Sequence, residues 1–533
     1  MMQIISSYFS PILSTRTHAR RLSDFGLLLV IVSALCLALY PLVRYGGYWG
    51  ETDTSTFTWV STNIQNTKQL VPAENVYPNG YGYQALLLFF SSMSGLAITD
   101  LQIYASPLLF LWLVVPAWLL YRELTDSDTV ALLATVMLFV QPEFLFPTLR
   151  GTHEKFTRGL MLLCMYVFVK SLRERGNIAR FTGFVLTFYL CIYSVIAFNN
   201  LFATSFMMAL GLSLLLISFF MRKSSIISPE PVLTRLYYVI LISVILAVIF
   251  TFYAYAPASH SLQLFQSVWE RIVVLFLNID APAFNPYTTV DSAWVNLPTY
   301  FVLSIADWLL LGTSACIWLW QSTRWWFRKW EPEAMHELML WSLYGAFSIL
   351  GAISIVVDFS GAISGNLQHR VFPSFVMVAA PVVAVWLANR ETLKSNRLSQ
   401  VLLSALIAFL AVVSISKATN EPLFSNKWIF VSPDELQAVQ WAGAFLPDRT
   451  LWTGYDERVS VSVIMRNGEL LENVNLTNSS TSESANDVLV SEIILRRGER
   501  LRRTPPLEFD SFITYDNGTT QIYHQRPQSP YQP

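Results

Sequence analysis

Charged side chains are scarce in this sequence. Aspartate, glutamate, lysine and arginine make up 13% of its 533 residues, and hydrophobic residues make up 53%, whereas a soluble domain carries about 25% charged residues. That scarcity excludes an ordinary water-soluble globule. Net charge is also nearly absent, at −1, and without a basic excess nothing points to a nucleic-acid partner. Cysteine is rare as well: Cys36, Cys164, Cys191 and Cys316 each lie inside an apolar run. Such thiols read as small hydrophobes, with no disulfide and no cysteine-based metal site expected. A cleavable leader is not expected either. The run Phe25 to Val43 follows Arg16, Arg20 and Arg21, but no small-residue cleavage pattern comes after it, and its length suits a membrane anchor.

What the sequence has in abundance is long apolar runs. A spanning helix needs about 20 predominantly apolar residues, because unpaired backbone groups are not tolerated in hydrocarbon. The runs predict spans at Phe25 to Val43, Leu101 to Tyr121, Val130 to Phe146, Leu160 to Val169 (starting nearer Phe156), Phe181 to Phe198, Leu201 to Met221, Leu236 to Tyr255, Pro298 to Trp320, Leu338 to Val357, Pro373 to Ala388 and Val401 to Ile415. Tyr83 to Ile98 is apolar too. If it is interfacial or re-entrant, the cytoplasmic segments hold seventeen Lys and Arg and the outer loops seven, which is the bias of the positive-inside rule; an extra crossing would invert every later loop.

The expected fold is therefore an α-helical polytopic membrane protein of about eleven transmembrane helices, with the N-terminus inside and a small extracytoplasmic α/β domain at the C-terminus, in the plasma membrane. Residues 1–420 form the membrane domain, with long outer loops at 44–100 and 256–297, and residues 421–533 the outer domain, disordered beyond about 526. Leu262 to Asn278 has helical apolar spacing around Glu270 and Arg271, as in a helix lying on a membrane. Ser432-Pro433-Asp434-Glu435 reads as a helix start, with Ser432 as cap and Glu435 three residues on. Arg458 to Ile464 alternates like a strand. Three glycosylation sequons, at Asn475, Asn478 and Asn517, also fall in the tail.

Ionisable groups near the ends of spans are informative, because charge near lipid needs a partner or a task. Three places qualify. Gly50-Glu51-Thr52-Asp53 follows the first span and the aromatic residues Tyr45, Tyr48 and Trp49. Its two carboxylates can hold a divalent cation (Mg or Mn) or supply a general base, or Asp53 can simply cap a helix. Arg150-Gly-Thr-His153-Glu154-Lys155-Phe156-Thr-Arg158 packs polar groups into a short turn between apolar helices. There His153 and Glu154, with Asp53, can complete a metal site or orient a substrate, and Arg150 or Arg158 can hold a phosphate; the alternative is a hydrated loop with mutually paired charges. Gln368-His369-Arg370 stands at the mouth of the tenth span. Arg370 either snorkels to headgroups or grips the phosphate of a membrane-embedded lipid carrier, beside His369.

In order along the chain, these three places resemble the GT-C class of integral membrane glycosyltransferases, which includes protein O-mannosyltransferases, lipid A aminoarabinose transferases and the catalytic subunits of oligosaccharyltransferases. The resemblance runs through the acidic motif after the first span, Tyr77-Pro-Asn-Gly-Tyr81-Gly-Tyr83-Gln-Ala-Leu, the span ending Leu119-Leu-Tyr-Arg-Glu-Leu124, the polar loop at Arg150, Arg370-Val-Phe-Pro373, and the tail opening Ser432 to Trp441, similar to archaeal members. The tail has no Trp-Trp-Asp-Tyr-Gly motif, with which oligosaccharyltransferases grip the acceptor sequon.

The resemblance implies transfer of a sugar from a polyprenyl-phosphate donor to a protein or lipid acceptor at the outer face of the membrane. Asp53, with Glu51 as alternate, would be base or metal ligand. Arg370, with His369, Arg150 and Arg158, would bind the lipid phosphate, and His153 and Glu154 would orient substrate or metal. A non-enzymatic, partner-binding envelope protein of the same architecture is the alternative. A solute transporter comes third, with Asp307 and Asp358 as the charged residues that would serve it.

Overall fold

The computed structural model describes residues 25–46, 52–70, 80–173, 178–223, 297–328, 334–359, 367–390, 396–424, 429–455, 458–467, 474–477, 485–508 and 510–525, with isolated positions 239, 266, 269, 270 and 273. The protein is a multi-pass helical membrane protein with a small C-terminal sheet domain. Among the described residues, seven helices are long and apolar enough to cross a membrane, and two bent helix pairs bring the count to as many as nine. The expected span Leu236 to Tyr255 lies outside the described residues save Val239. The expected surface helix Leu262 to Asn278 is described only at Gln266, Trp269, Glu270 and Val273, all helical.

The helices used below are α1 (Phe25–Tyr45), α2 (Thr52–Thr67), α3 (Gly82–Ser94), α4 (Ile98–Ala105), α5 (Leu108–Thr125), α6 (Asp128–Phe139), α7 (Pro142–Leu149), α8 (Glu154–Arg173), α9 (Ile178–Phe198), α10 (Asn200–Lys223), α11 (Leu297–Leu303), α12 (Ile305–Arg328), α13 (Met335–Phe359), α14 (Leu367–Ala388) and α15 (Arg397–Ala418).

Where the chain departs from the expected straight spans, local chemistry accounts for it. The run Val130 to Phe146 is two helices, α6 and α7, bent by 71°. Pro142 has no N–H to continue the ladder, and the Ser414 hydroxyl of α15 donates to the Val140 carbonyl at the break, at 2.6 Å. Pro298 to Trp320 is likewise divided into α11 and α12 at Ser304. The segment Tyr83 to Ile98 becomes α3, ended by Gly95 in the left-handed conformation at φ 71°. The chain then turns by 111° into α4. At 13 residues, α3 reaches about 20 Å, short of the roughly 30 Å hydrocarbon core.

The bundle is built around α14, whose apolar window is 72% buried. Pro381 inside it leaves the Met377 carbonyl without its usual helical donor. The fully buried Tyr121 hydroxyl of α5 supplies that hydrogen bond at 2.8 Å. Nearby, α8 comes close to the Trp112 indole, because Gly159 leaves room there: a Cβ at Gly159 would sit 2.2 Å from it.

The C-terminal domain contains α16 (Pro433–Phe445), α17 (Arg458–Asn467), α18 (Glu492–Leu501) and strands β1 (Arg449–Trp452), β2 (Val474–Thr477), β3 (Asp487–Ser491), β4 (Phe512–Asp516) and β5 (Thr520–His524), in the order β2-β1-β3-β5-β4. β1 is parallel to β2 and β3, while β5 is antiparallel to β3 and β4. The capping box at Ser432 and Glu435 is formed as expected. Arg458 to Ile464 is a correction: it is helix α17. Parallel neighbours such as β1 and β2 need a crossover, which is usually helical. Its alternation is apolar because α17 is packed on more than one side, with Val459, Val461 and Val463 all buried and α2 of the membrane domain against it.

Candidate functional site

The first acidic motif is positioned by α2. Asp53 stands in its first turn, with its side chain 62% exposed; Glu51 lies outside the described residues. Arg150 closes α7 and donates to Asp53 Oδ2 at 2.9 Å, while its guanidinium lies over the Phe146 ring at 4.2 Å. The loop that follows is held by buried polar groups. Tyr83 donates to the Gly151 carbonyl at 2.6 Å, Gln102 Nε2 to the same oxygen at 3.0 Å, and Thr58 to Gln102 Oε1 at 2.6 Å. Lys155 donates to the Arg150 carbonyl.

Arg158, one turn into α8, is 1% exposed. It donates to Ser374 Oγ and, at 3.0 Å, to the Arg370 carbonyl, and lies over the Phe202 ring at 4.4 Å. It thereby ties α8 to α14 on either side of Pro373, and the Arg370 side chain is exposed. The side chain of His369 lies outside the described residues. His153 is buried between Phe57 and Phe202, with ring centroids 5.1 and 6.2 Å away, and its Nε2 lies 3.2 Å from Asn199 Nδ2. An amide nitrogen can only donate, so Nε2 accepts. Burial first, then the nearby cations Arg158, Arg150 and Lys155, push the His153 pKa down to about 3, and the ring is neutral at physiological pH. Glu154 Oε2 is sealed from solvent and has no hydrogen-bond partner in the structure.

Asp53, Arg150, His153, Glu154, Arg158 and Arg370 all line one cavity of about 550 Å³. Glu143, Tyr300, Asn199 and Lys417 line it too, and the sequence did not single them out for this site. Lys417, in the last turn of α15, bonds Glu143 at 2.7 Å and Asp307 at 3.0 Å. The available signal was Glu143 directly after Pro142 in a predicted span and Lys417 at the end of the last one, two opposite charges that a span would otherwise exclude. Asp307 is therefore a partner of Lys417. Asp358 accepts the backbone N–H groups of Leu367 and Gln368, each at 2.9 Å, at the start of α14.

Among the described residues no three His, Cys, Asp or Glu side chains converge, Asp53 is bonded to Arg150 and His153 Nε2 faces Asn199. The arrangement suits an anion: three arginines border one cavity, and an exposed carboxylate lines it too.

No protein-family model matches the chain, and no curated protein matches it. Among solved structures it is similar to the archaeal oligosaccharyltransferase AglB from Archaeoglobus fulgidus, in complex with an inhibitory peptide and a dolichol-phosphate, at a TM-score of 0.52 and 12% identity over 84% of this chain and 64% of that one. This chain thus spans less than two thirds of AglB. ArnT from Cupriavidus metallidurans bound to undecaprenyl phosphate aligns with a TM-score of 0.49 and 12% identity, over 93% of this chain and 97% of that one. The chain has the GT-C fold.

Proposed function

We propose that the protein is a membrane glycosyltransferase that moves a sugar from a polyprenyl-phosphate carrier to a protein or lipid acceptor at the outer face of the cell membrane. The observation that carries this reading is the convergence of Arg150, Arg158 and Arg370 with the exposed carboxylate of Asp53 on one cavity. Lys417 and Asn420 line the same cavity, which puts it at the end of the bundle from which the C-terminal domain departs. A phosphate carried by a membrane-embedded lipid would reach such a site from the bilayer. The structurally similar AglB was solved with a dolichol-phosphate, a lipid phosphate of the class proposed here.

In the transfer, a nucleophilic atom of the acceptor bonds to the anomeric carbon. The bond from that carbon to the carrier phosphate breaks, and the phosphate leaves with the electron pair. Negative charge grows on its oxygens, where preorganised cationic donors contribute most. Arg150 and Arg370 present guanidinium groups at the cavity, and Arg158, locked by Ser374 and the Arg370 carbonyl, adds a fixed positive charge. Asp53 takes the acceptor proton. Arg150 is bonded to Asp53, so a phosphate bound at that arginine lies beside the carboxylate that takes the acceptor proton. Glu154 Oε2 accepts a hydroxyl of the bound sugar, and neutral His153 holds Asn199 as part of the cavity lining.

The test is mass spectrometry of envelope glycans and lipid-linked sugars in a host strain. Wild type and Asp53→Ala are compared at equal protein level, beside a strain lacking the gene. Loss of a defined sugar with accumulation of its polyprenyl-phosphate donor is the expected result. Unchanged glycans and donors in both altered strains would overturn the assignment.

A further inference from the structure

A second cavity, of about 470 Å³, lies where α1, the segment after α15 and the C-terminal domain meet. Its floor is Tyr45 stacked on Phe430, with centroids 3.7 Å apart and planes 11° apart. Glu421 draws α1 to this junction, taking hydrogen bonds from Arg44 at 3.0 Å and Tyr40 at 2.9 Å, and one from Tyr45. Arg500 of α18 donates to the Pro422 carbonyl, which fixes α18 at the end of the membrane domain.

Two properties of this place point to a ligand class. First, its lining is basic: Arg44, Arg496 and Arg500 line it with one carboxylate, Glu492, Glu421 balances Arg44 from outside the lining, and α18 continues into exposed Arg502 and Arg503. Arg496, 67% exposed, bonds the similarly exposed Glu492 one turn back, a weak surface pair that a better anion displaces. Second, exposed apolar side chains accompany the arginines: Leu423, 68% exposed, lines the cavity, while Val43 at 85% and Leu495 at 45% directly precede Arg44 and Arg496 in the chain. Val43 lies in the last turn of a helix fit to cross the membrane, and Leu423 lies five residues past the end of another. Basic and apolar groups mixed at the end of spanning helices match a membrane interface, where phosphates sit directly above acyl chains.

We propose that this cavity binds the phosphate headgroup of an anionic phospholipid, which clamps the C-terminal domain to the membrane face beside the candidate active site. Arg496 and Arg500 take the phosphate, Arg44 adds charge, and Leu423 and Val43 meet the acyl chains. The site is separate from the arginine cluster at Arg150 and does not depend on the transferase reading.

The experiment uses the full-length protein in nanodiscs and follows hydrogen exchange in residues 492–503 as phosphatidylglycerol replaces phosphatidylcholine. Protection of this segment in wild type, with a midpoint shifted about fivefold toward higher phosphatidylglycerol in Arg496→Gln and restored in Arg496→Lys, is the expected result. Unchanged exchange in β3 in phosphatidylcholine discs establishes that the variants are folded. The inference fails if wild type responds equally to both lipids, or if protection spreads evenly over all exposed basic segments. Equal protection by inorganic phosphate in phosphatidylcholine discs would assign the cavity to a free phosphate and overturn the lipid clamp.

Discussion

Two arginine–carboxylate pairs in this molecule have the same chemistry and opposite surroundings. In the C-terminal domain, Arg458 meets Glu435 through two bonds of 2.7 and 2.9 Å, with the side chains 2% and 0% exposed. Ser491 and the Ser432 backbone N–H complete the carboxylate. At the cavity, Arg150 meets Asp53 through a bond of 2.9 Å, with the arginine 9% and the carboxylate 62% exposed. The first pair joins α16 and α17 and is sealed from solvent, with both carboxylate oxygens occupied by protein donors. The second faces a cavity and can exchange either partner for a substrate. Burial, not the presence of the pair, separates a structural tie from a group available for chemistry.

The sharpest way to break this comparison is to remove charge from each pair in turn. Asp53→Asn keeps the shape and removes the proposed base, so the proposed sugar transfer by purified protein falls about 10²- to 10⁴-fold while thermal stability stays put; an unaltered rate would move the base elsewhere. Arg458→Leu leaves Glu435 buried without its counter-charge and costs roughly 3–5 kcal/mol, read as unfolding of the C-terminal domain at lower denaturant. A wild-type transition midpoint would show that the pair does not hold the domain together.

A smaller effect comes from the backbone beneath the arginine cluster. Gly159→Leu forces a side chain into the Trp112 indole and costs about 1–3 kcal/mol. It also displaces neighbouring Arg158, so transfer drops along with stability; full activity at unchanged stability would contradict the packing described here. The smallest effect is on pH. Burial alone would raise the Glu435 carboxyl, but Arg458, Ser491 and the Ser432 N–H hold it below its ordinary value of 4.5. A depressed carboxyl stabilises the fold fully above the unfolded value and loses that contribution as pH falls through the lower folded one. The C-terminal domain of Glu435→Gln therefore shows a flatter stability profile below about pH 4.5 than wild type, measurable by denaturant titration.

The sequence made legible those features whose signal is local. Composition and apolar runs identified a membrane protein, Ser432 to Glu435 announced its own capping box, and Arg150, Arg158 and Arg370 stood out because charge near lipid needs a reason. What escaped depends on distant partners. Glu143, Asp307 and Lys417 look like isolated charges at unrelated positions until α7, α12 and α15 bring them together. Gln102, an ordinary polar residue at the start of an expected span, turns out to hold the Gly151 loop. Arg458 to Ile464 alternates as a strand does, because a helix buried on several sides shows no polar stripe from which its period can be read.

The central claim is that the arginine cluster holds the phosphate of a polyprenyl carrier, and native mass spectrometry of the full-length protein tests it directly. Polyprenyl phosphate and the uncharged polyprenol are offered at equal concentration to wild type and to Arg150→Gln/Arg370→Gln. Wild type is expected to retain the phosphate and not the alcohol, and the double variant to lose this preference. Equal retention of both lipids by wild type, or an unchanged preference in the variant, would contradict it.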